Sequence, residues 1–133
     1  MQCMGYVYRL AAILCISLPW VLAQSASGTS SWETQRLERM KFDQIARELR
    51  AGEGRRIADL GAGQGAFSAA LARLTGPQGI VYAVDIDEQA LKALEKRKRD
   101  GALVNLEVIH ATEDDPRLPR EALDAVLLVD TYH

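Results

Sequence analysis

The chain has 133 residues, 48% hydrophobic and 26% charged, with a formal charge of −2. That is the composition of one globular domain, and its near-neutral balance leaves no electrostatic footprint for general nucleic-acid binding. Both cysteines, Cys3 and Cys15, fall within the first fifteen residues, which excludes a disulfide framework or a zinc pattern in the remainder; His110 and His133 are too few and too far apart in sequence to make a metal site.

Residues 1–23 read as a targeting segment. Arg9 supplies a basic flank, residues 10–18 are apolar apart from Ser17, and Val21-Leu22-Ala23 is a small-residue ending suited to signal cleavage. The apolar stretch is shorter than the ~20 residues a spanning helix needs. The expectation is export, periplasmic or secreted, with an uncleaved membrane anchor as the alternative; only through this segment would the chain meet a membrane. Residues 24–31 are small and polar and read as a flexible linker.

From there the folded domain is expected over residues 32–133. Leu37, Met40, Ile45 and Leu49 form an apolar stripe that predicts a helix over 32–50, stopped by the glycines of 51–54. A strand follows at 56–60. Residues 66–74 predict a helix rich in alanine and leucine, closed by Gly76-Pro77. Residues 79–85 predict a β-branched, buried strand ending in Asp85. Asp87 is placed to cap a helix over 88–99, with Leu91 and Leu94 facing inward and Gly101 as its stop. Its basic run, Lys96-Arg97-Lys98-Arg99, reads as cations complementing the helix dipole rather than as a nucleic-acid patch. A third strand is expected at 103–109, an acidic loop broken by Pro116 and Pro119 at 113–119, and a fourth strand at 123–129, apolar except for Asp124.

Strands alternating with helices predict a parallel sheet of the doubly wound, Rossmann-like α/β class. Ligands in such sheets sit outside the carboxyl ends of the strands. Four sets of residues follow strand ends here: 59–65, 85–87, the loop after Ile109, and 130–133.

The first set is the most informative. Ile57-Ala58-Asp59-Leu60-Gly61-Ala62-Gly63-Gln64-Gly65-Ala66 reads as strand, glycine-rich turn and helix start. Glycines admit positive φ and let a ligand approach the backbone, and the following helix aims free N–H groups at the turn. Asp85 ends the next strand twenty residues beyond Gly65, where a carboxylate can accept both hydroxyls of a ribose. Gly61-x-Gly63-x-x-Ala66 also satisfies the dinucleotide fingerprint. Asp59 argues against that ligand, because a carboxylate there repels a pyrophosphate and attracts a cation such as the sulfonium or ammonium of S-adenosylmethionine.

Asp59-Leu60-Gly61-Ala62-Gly63-Gln64-Gly65 resembles the first motif of the class I S-adenosylmethionine-dependent methyltransferases, and Val81-Tyr82-Ala83-Val84-Asp85-Ile86-Asp87 resembles their second. Residues 111–119, followed by 123–133, resemble a bacterial branch of methyltransferase-domain proteins. The likeness runs from about Trp32 to His133. It implies that the backbone of Gly61, Ala62 and Gly63 passes under the methionine part of the cofactor. It also implies that Asp59 orients the ammonium group, Asp85 holds the ribose hydroxyls, and Ile86 packs on the adenine. Family members often carry an acid after the third strand that meets the adenine amino group; Ala111 stands at that position, with Glu113 and Asp114 close by, and Glu113 is the expected substitute. Asp130 would lie near the transferable methyl, with Tyr132 and His133 as candidates for a general base.

The resemblance further implies three more strands beyond the fourth, so the chain is expected to be the N-terminal, incomplete part of a methyltransferase domain. The expected reaction is methyl transfer to an acceptor that the residues do not identify. A catalytically inactive nucleoside-binding module is the alternative, and an NAD-binding half-domain a weaker one.

Overall fold

A computed structural model describes residues 30–120 and 123–129. The targeting segment, most of the linker, and Asp130, Tyr132 and His133 lie outside the described residues. Eight elements follow in order: α1 (Ser31–Arg39), α2 (Phe42–Glu48), β1 (Arg56–Leu60), α3 (Ala66–Thr75), β2 (Ile80–Asp85), α4 (Glu88–Asp100), β3 (Leu106–His110) and β4 (Ala125–Leu128).

The four strands form one parallel sheet in the order β3-β2-β1-β4. Register aligns the strand ends: Leu60 pairs with Val84 on one side and Leu128 on the other, and Asp85 pairs with His110. The chain winds from β1 through β2 to β3 in one direction, then returns to the far side of β1 to lay down β4. The sheet therefore has its topological switch point between β1 and β4, and a crevice opens at the carboxyl end of such a point.

Period-two alternation divides the strand residues between two faces. Ile57, Val81, Ala83, Leu106 and Leu127 turn to one face and pack with Phe67 and Leu71 of α3 and Leu94 of α4. Leu37, Met40, Phe42, Ile45 and Leu49 close this layer from α1, α2 and the residue that follows each helix. The other face carries Ala58, Tyr82, Val84 and Ala111, packed with Leu118 and Leu123 from the loop before β4. Among the described residues, all four helices contribute to the first face only. Val126 and Leu128 on the second are 43% and 52% exposed.

Several boundaries differ from the sequence expectation. The single helix over 32–50 is two helices, broken where Lys41 adopts a left-handed φ of 54°. The bend brings Leu37 and Met40 on one side and Phe42, Ile45 and Leu49 on the other onto the same core. α1 also starts at Ser31, one residue into the expected linker. β3 begins at Leu106 rather than 103, because the backbone there turns off the end of α4: Leu103 N–H donates to the Lys98 carbonyl and Val104 N–H to the Ala102 carbonyl, both at 3.0 Å. The Asn105 side chain meanwhile places its Nδ2 2.8 Å from the carbonyl oxygens of both Ala72 and Gly76, satisfying the end of α3. β4 begins at Ala125 rather than 123, since Asp124 accepts from Arg55 Nη1 at 2.9 Å and from the Arg56 backbone N–H at 2.8 Å, pinning the start of β4 to that of β1. Those bonds, the Arg56 N–H first, hold the Asp124 carboxyl below its usual range. Asp87 caps α4 as expected, accepting from Gln89 N–H at 2.8 Å.

Candidate functional site

The turn between β1 and α3 is built by its glycines. Gly61, Gly63 and Gly65 have φ of 71°, 55° and 77°, a region side chains oppose. The N–H groups of Gly61 and Ala62 both donate to the Val84 carbonyl, at 2.8 and 3.1 Å, stitching the turn to the end of β2. Gly65 has a second reason to lack a side chain. A Cβ there would stand 2.4 Å from Leu94 Cδ2, so the glycine is what lets α4 close on the turn. At Gly63, by contrast, an added Cβ would meet nothing within 4 Å. That stretch of backbone faces open space.

Two carboxylates flank the turn on the same face of the sheet. Asp85, at the end of β2, accepts from Gly63 N–H at 2.8 Å and from Asp87 N–H at 2.9 Å. One of its oxygens is thus tied to the glycine turn and the other to the start of α4. An ionised carboxylate has about four lone-pair sites, so acceptor capacity remains. Asp59, near the end of β1, is only 3% exposed. It accepts the Ser68 hydroxyl at 2.5 Å and the Ser68 backbone N–H, thereby capping the first turn of α3. Burial is the largest influence on its acidity and raises it; the Ser68 bonds and Arg36 lower it, Asp85 raises it, and the result is a pKa of about 6.

A cleft of about 640 Å³ lies over this turn. Its floor is Asp59 and the backbone from Gly61 to Phe67, and Val129 closes one end, so it occupies the switch point between β1 and β4. The facing wall is α1, which contributes Trp32, Gln35, Arg36 and Arg39. These recur at intervals of three and four along α1 and share one helical face. The sequence expectation included none of them. Their spacing marks a face, but nothing local says that the face meets the glycine turn.

The expected site residues distribute as follows. Asp59, Gly61, Ala62 and Gly63 lie together in the cleft, and Asp85 joins them through Gly63. Ile86 follows Asp85 with 57% of its surface exposed, an apolar side chain held open beside the strand end. Ala111 is buried, its N–H donating to the Asp85 carbonyl at 2.9 Å. The loop after it closes on itself, with Thr112 Oγ1 accepting from Asp115 N–H at 3.1 Å. Glu113 is exposed in that loop.

Arg97 needs a different account from the dipole effect expected of its basic run. Its Nε donates to the Gln64 carbonyl at 2.8 Å, and its Nη1 donates to Glu33 Oε2 at 2.7 Å. Its guanidinium also lies 5.5 Å from the centroid of the Trp32 ring.

Comparison with known proteins agrees with this geometry. The family described as a methyltransferase domain matches residues 57–133. The demethylmenaquinone methyltransferase of Geobacillus kaustophilus is 29% identical over 86 residues, which are 65% of this chain and 37% of that protein. The ubiquinone/menaquinone biosynthesis C-methyltransferase of Vibrio parahaemolyticus is 32% identical over 79 residues, 59% of this chain and 30% of that protein. The chain thus spans about a third of the length of these curated relatives. Among solved structures, a SAM-dependent methyltransferase from Aquifex aeolicus superposes with a TM-score of 0.65 at 28% identity, over 71% of this chain and 50% of that one. A SAM-dependent O-methyltransferase from Thermotoga maritima gives 0.62 at 28% identity, over 72% and 38%. The strand order, the turn and the family match agree: the chain belongs to the class I S-adenosylmethionine-dependent methyltransferase family.

Proposed function

We propose that this chain binds S-adenosylmethionine across the glycine turn and serves methyl transfer from it. The observation that carries the proposal is the buried Asp59 carboxylate in the floor of the cleft, beside a turn whose backbone is open at Gly63. Although Arg36 and Arg39 also line the cleft, the acid stands at the glycine turn itself, where it favours an ammonium group and opposes the pyrophosphate a dinucleotide would place there.

The residues fit the cofactor in parts. Asp85 keeps acceptor capacity for two ribose hydroxyls after taking its two N–H bonds. Ile86 offers an exposed apolar surface to the adenine, and Glu113 is the acid nearest in sequence for its amino group. Gly61 to Gly63 pass beneath the methionine chain, and Asp59 faces its ammonium. When bound, the cofactor supplies a methyl group on a sulfonium, which is already a good leaving group. The protein's part is then to orient the acceptor for in-line attack and to exclude water. Asp130, next in the chain after the cleft residue Val129, is assigned to the region of the methyl group, and Tyr132 or His133 to any proton the acceptor must lose.

Calorimetric titration of the full chain with S-adenosylmethionine, S-adenosylhomocysteine and NAD tests this. The two adenosyl ligands are expected to bind and NAD not to. Binding of NAD alone, or of none of the three by folded protein, overturns it.

A further inference from the structure

Glu33 is 2% exposed, and the proposed cofactor chemistry gives it no task. Burying a carboxylate is unfavourable unless it is paired, and a buried ion pair is seldom the most stable way to hold two elements together. Arg97 Nη1 donates to Oε2 at 2.7 Å; Oε1 accepts no hydrogen bond among the described residues, the Arg73 guanidinium standing 3.8 Å away. A pair of apolar side chains would hold α1 as firmly. What the ion pair adds is direction.

The direction comes from the shape of Arg97. A guanidinium is a rigid plane whose donors point along fixed lines. Here Nη1 reaches α1 at Glu33, while Nε reaches the glycine turn at the Gln64 carbonyl. The same group also lies against Trp32, a residue of the cleft wall. One plane therefore sets the distance between the two sides of the cleft.

The two ends of the site differ in their dependence on that distance. Asp85 and Ile86 stand at the β2 end, outside the cleft that α1 walls, whereas Asp59 and Val129 stand inside it with Gln35, Arg36 and Arg39. A ligand anchored by its ribose at Asp85 and running over Gly63 carries its far end, the amino acid, under α1.

We propose that Glu33 and Arg97 are positioning residues for the amino-acid end of the ligand, holding the Gln35–Arg36–Arg39 wall at a fixed spacing from the glycine turn. This rests on the cleft being the adenosyl cofactor site. The pair touches no part of the ligand; it acts through α1.

The test compares S-adenosylhomocysteine with 5′-methylthioadenosine, which keeps the nucleoside and lacks the amino acid. Glu33→Gln and Arg97→Gln in the full chain are each expected to weaken S-adenosylhomocysteine about tenfold. The double variant is expected to lose no more than either single one, and methylthioadenosine to change less than about twofold throughout. Equal losses for both ligands would show a merely structural pair and overturn the proposal, as would unchanged binding of S-adenosylhomocysteine. Hydrogen exchange in the unmodified chain covers the case in which the variants do not fold. S-adenosylhomocysteine should slow exchange of the α1 amides and methylthioadenosine should not; equal protection by both contradicts the proposal. If the unmodified chain binds neither ligand, the cofactor assignment itself fails, and this inference with it.

Discussion

Asp59 and Asp85 are the same residue type at the carboxyl ends of adjacent strands, on the same face of one sheet, yet their surroundings give them different work. Asp85 is partly exposed and accepts backbone N–H groups from Gly63 and Asp87, so it is a fixed hydrogen-bond acceptor at the mouth of the site. Asp59 is 3% exposed, tied to Ser68 of the helix above it, and its pKa is pushed up to about 6. On the proposed reading the first carboxylate would meet the ribose hydroxyls and the second the ligand's positive charge. Neighbours one helical turn away, not the position on the sheet, make that difference.

Substitution at Gly65 disturbs both acids at once, because its turn holds them in place. Gly65→Ala puts a Cβ 2.4 Å from Leu94 Cδ2 at a φ of 77°. The expected cost is about 2–5 kcal/mol, the sum of left-handed strain and overpacking, read as a lowered denaturation midpoint with ligand binding lost. Asp85→Ala acts on one side only. Removing two charge-assisted acceptor sites should weaken S-adenosylhomocysteine about a hundredfold, roughly 2.7 kcal/mol, in a titration at neutral pH. The fold should survive, since Asp59 and the core stay in place.

Asp59→Asn acts on the other acid and shows its effect through pH. The folded pKa lies above the unfolded value, so the native state binds the extra proton between about pH 4 and pH 6. Stability contributed by the protonated acid is full below that window and is lost as pH rises through it. Above pH 6 the wild-type chain carries up to about 3 kcal/mol of this penalty. Asp59→Asn should therefore be the more stable protein at pH 8 and lose its advantage near pH 4, as measured by urea denaturation at both values. Binding runs the other way. The ammonium group of the ligand prefers the ionised acid, so wild-type affinity for S-adenosylhomocysteine should fall as pH drops through about 6, while the variant shows a flat profile. The smallest effect is expected at Glu113, exposed in its loop: Glu113→Ala should weaken the adenosyl ligands by about threefold or less, one exposed hydrogen bond. A loss as large as that of Asp85→Ala would move the adenine contact into the core of recognition.

What could be seen in the sequence was what depends on neighbours along the chain. The strand at 56–60, the glycine turn, the cap at Asp87 and the acids at strand ends all announce themselves within a few residues, because φ requirements, capping and strand burial are local. The break at Lys41 has no such sign: no glycine or proline stands there, and the left-handed residue is imposed by two apolar faces meeting one core. Nor could Glu33 be distinguished from a solvated helical acid, since the arginine that justifies its burial lies 64 residues away. The same holds for Trp32, Gln35, Arg36 and Arg39, whose common face was countable but whose partner was not. Asn105 was hidden for a related reason: a residue that looks like strand in the pattern spends its side chain on the end of α3.

A crystal structure of the full chain with S-adenosylhomocysteine tests directly whether the cofactor lies across the glycine turn. The ribose hydroxyls are expected on the Asp85 carboxylate, the ligand backbone over Gly63, and the amino-acid end between Asp59 and α1. A ligand bound elsewhere, or one whose amino-acid end turns away from Asp59 and α1, would contradict this placement.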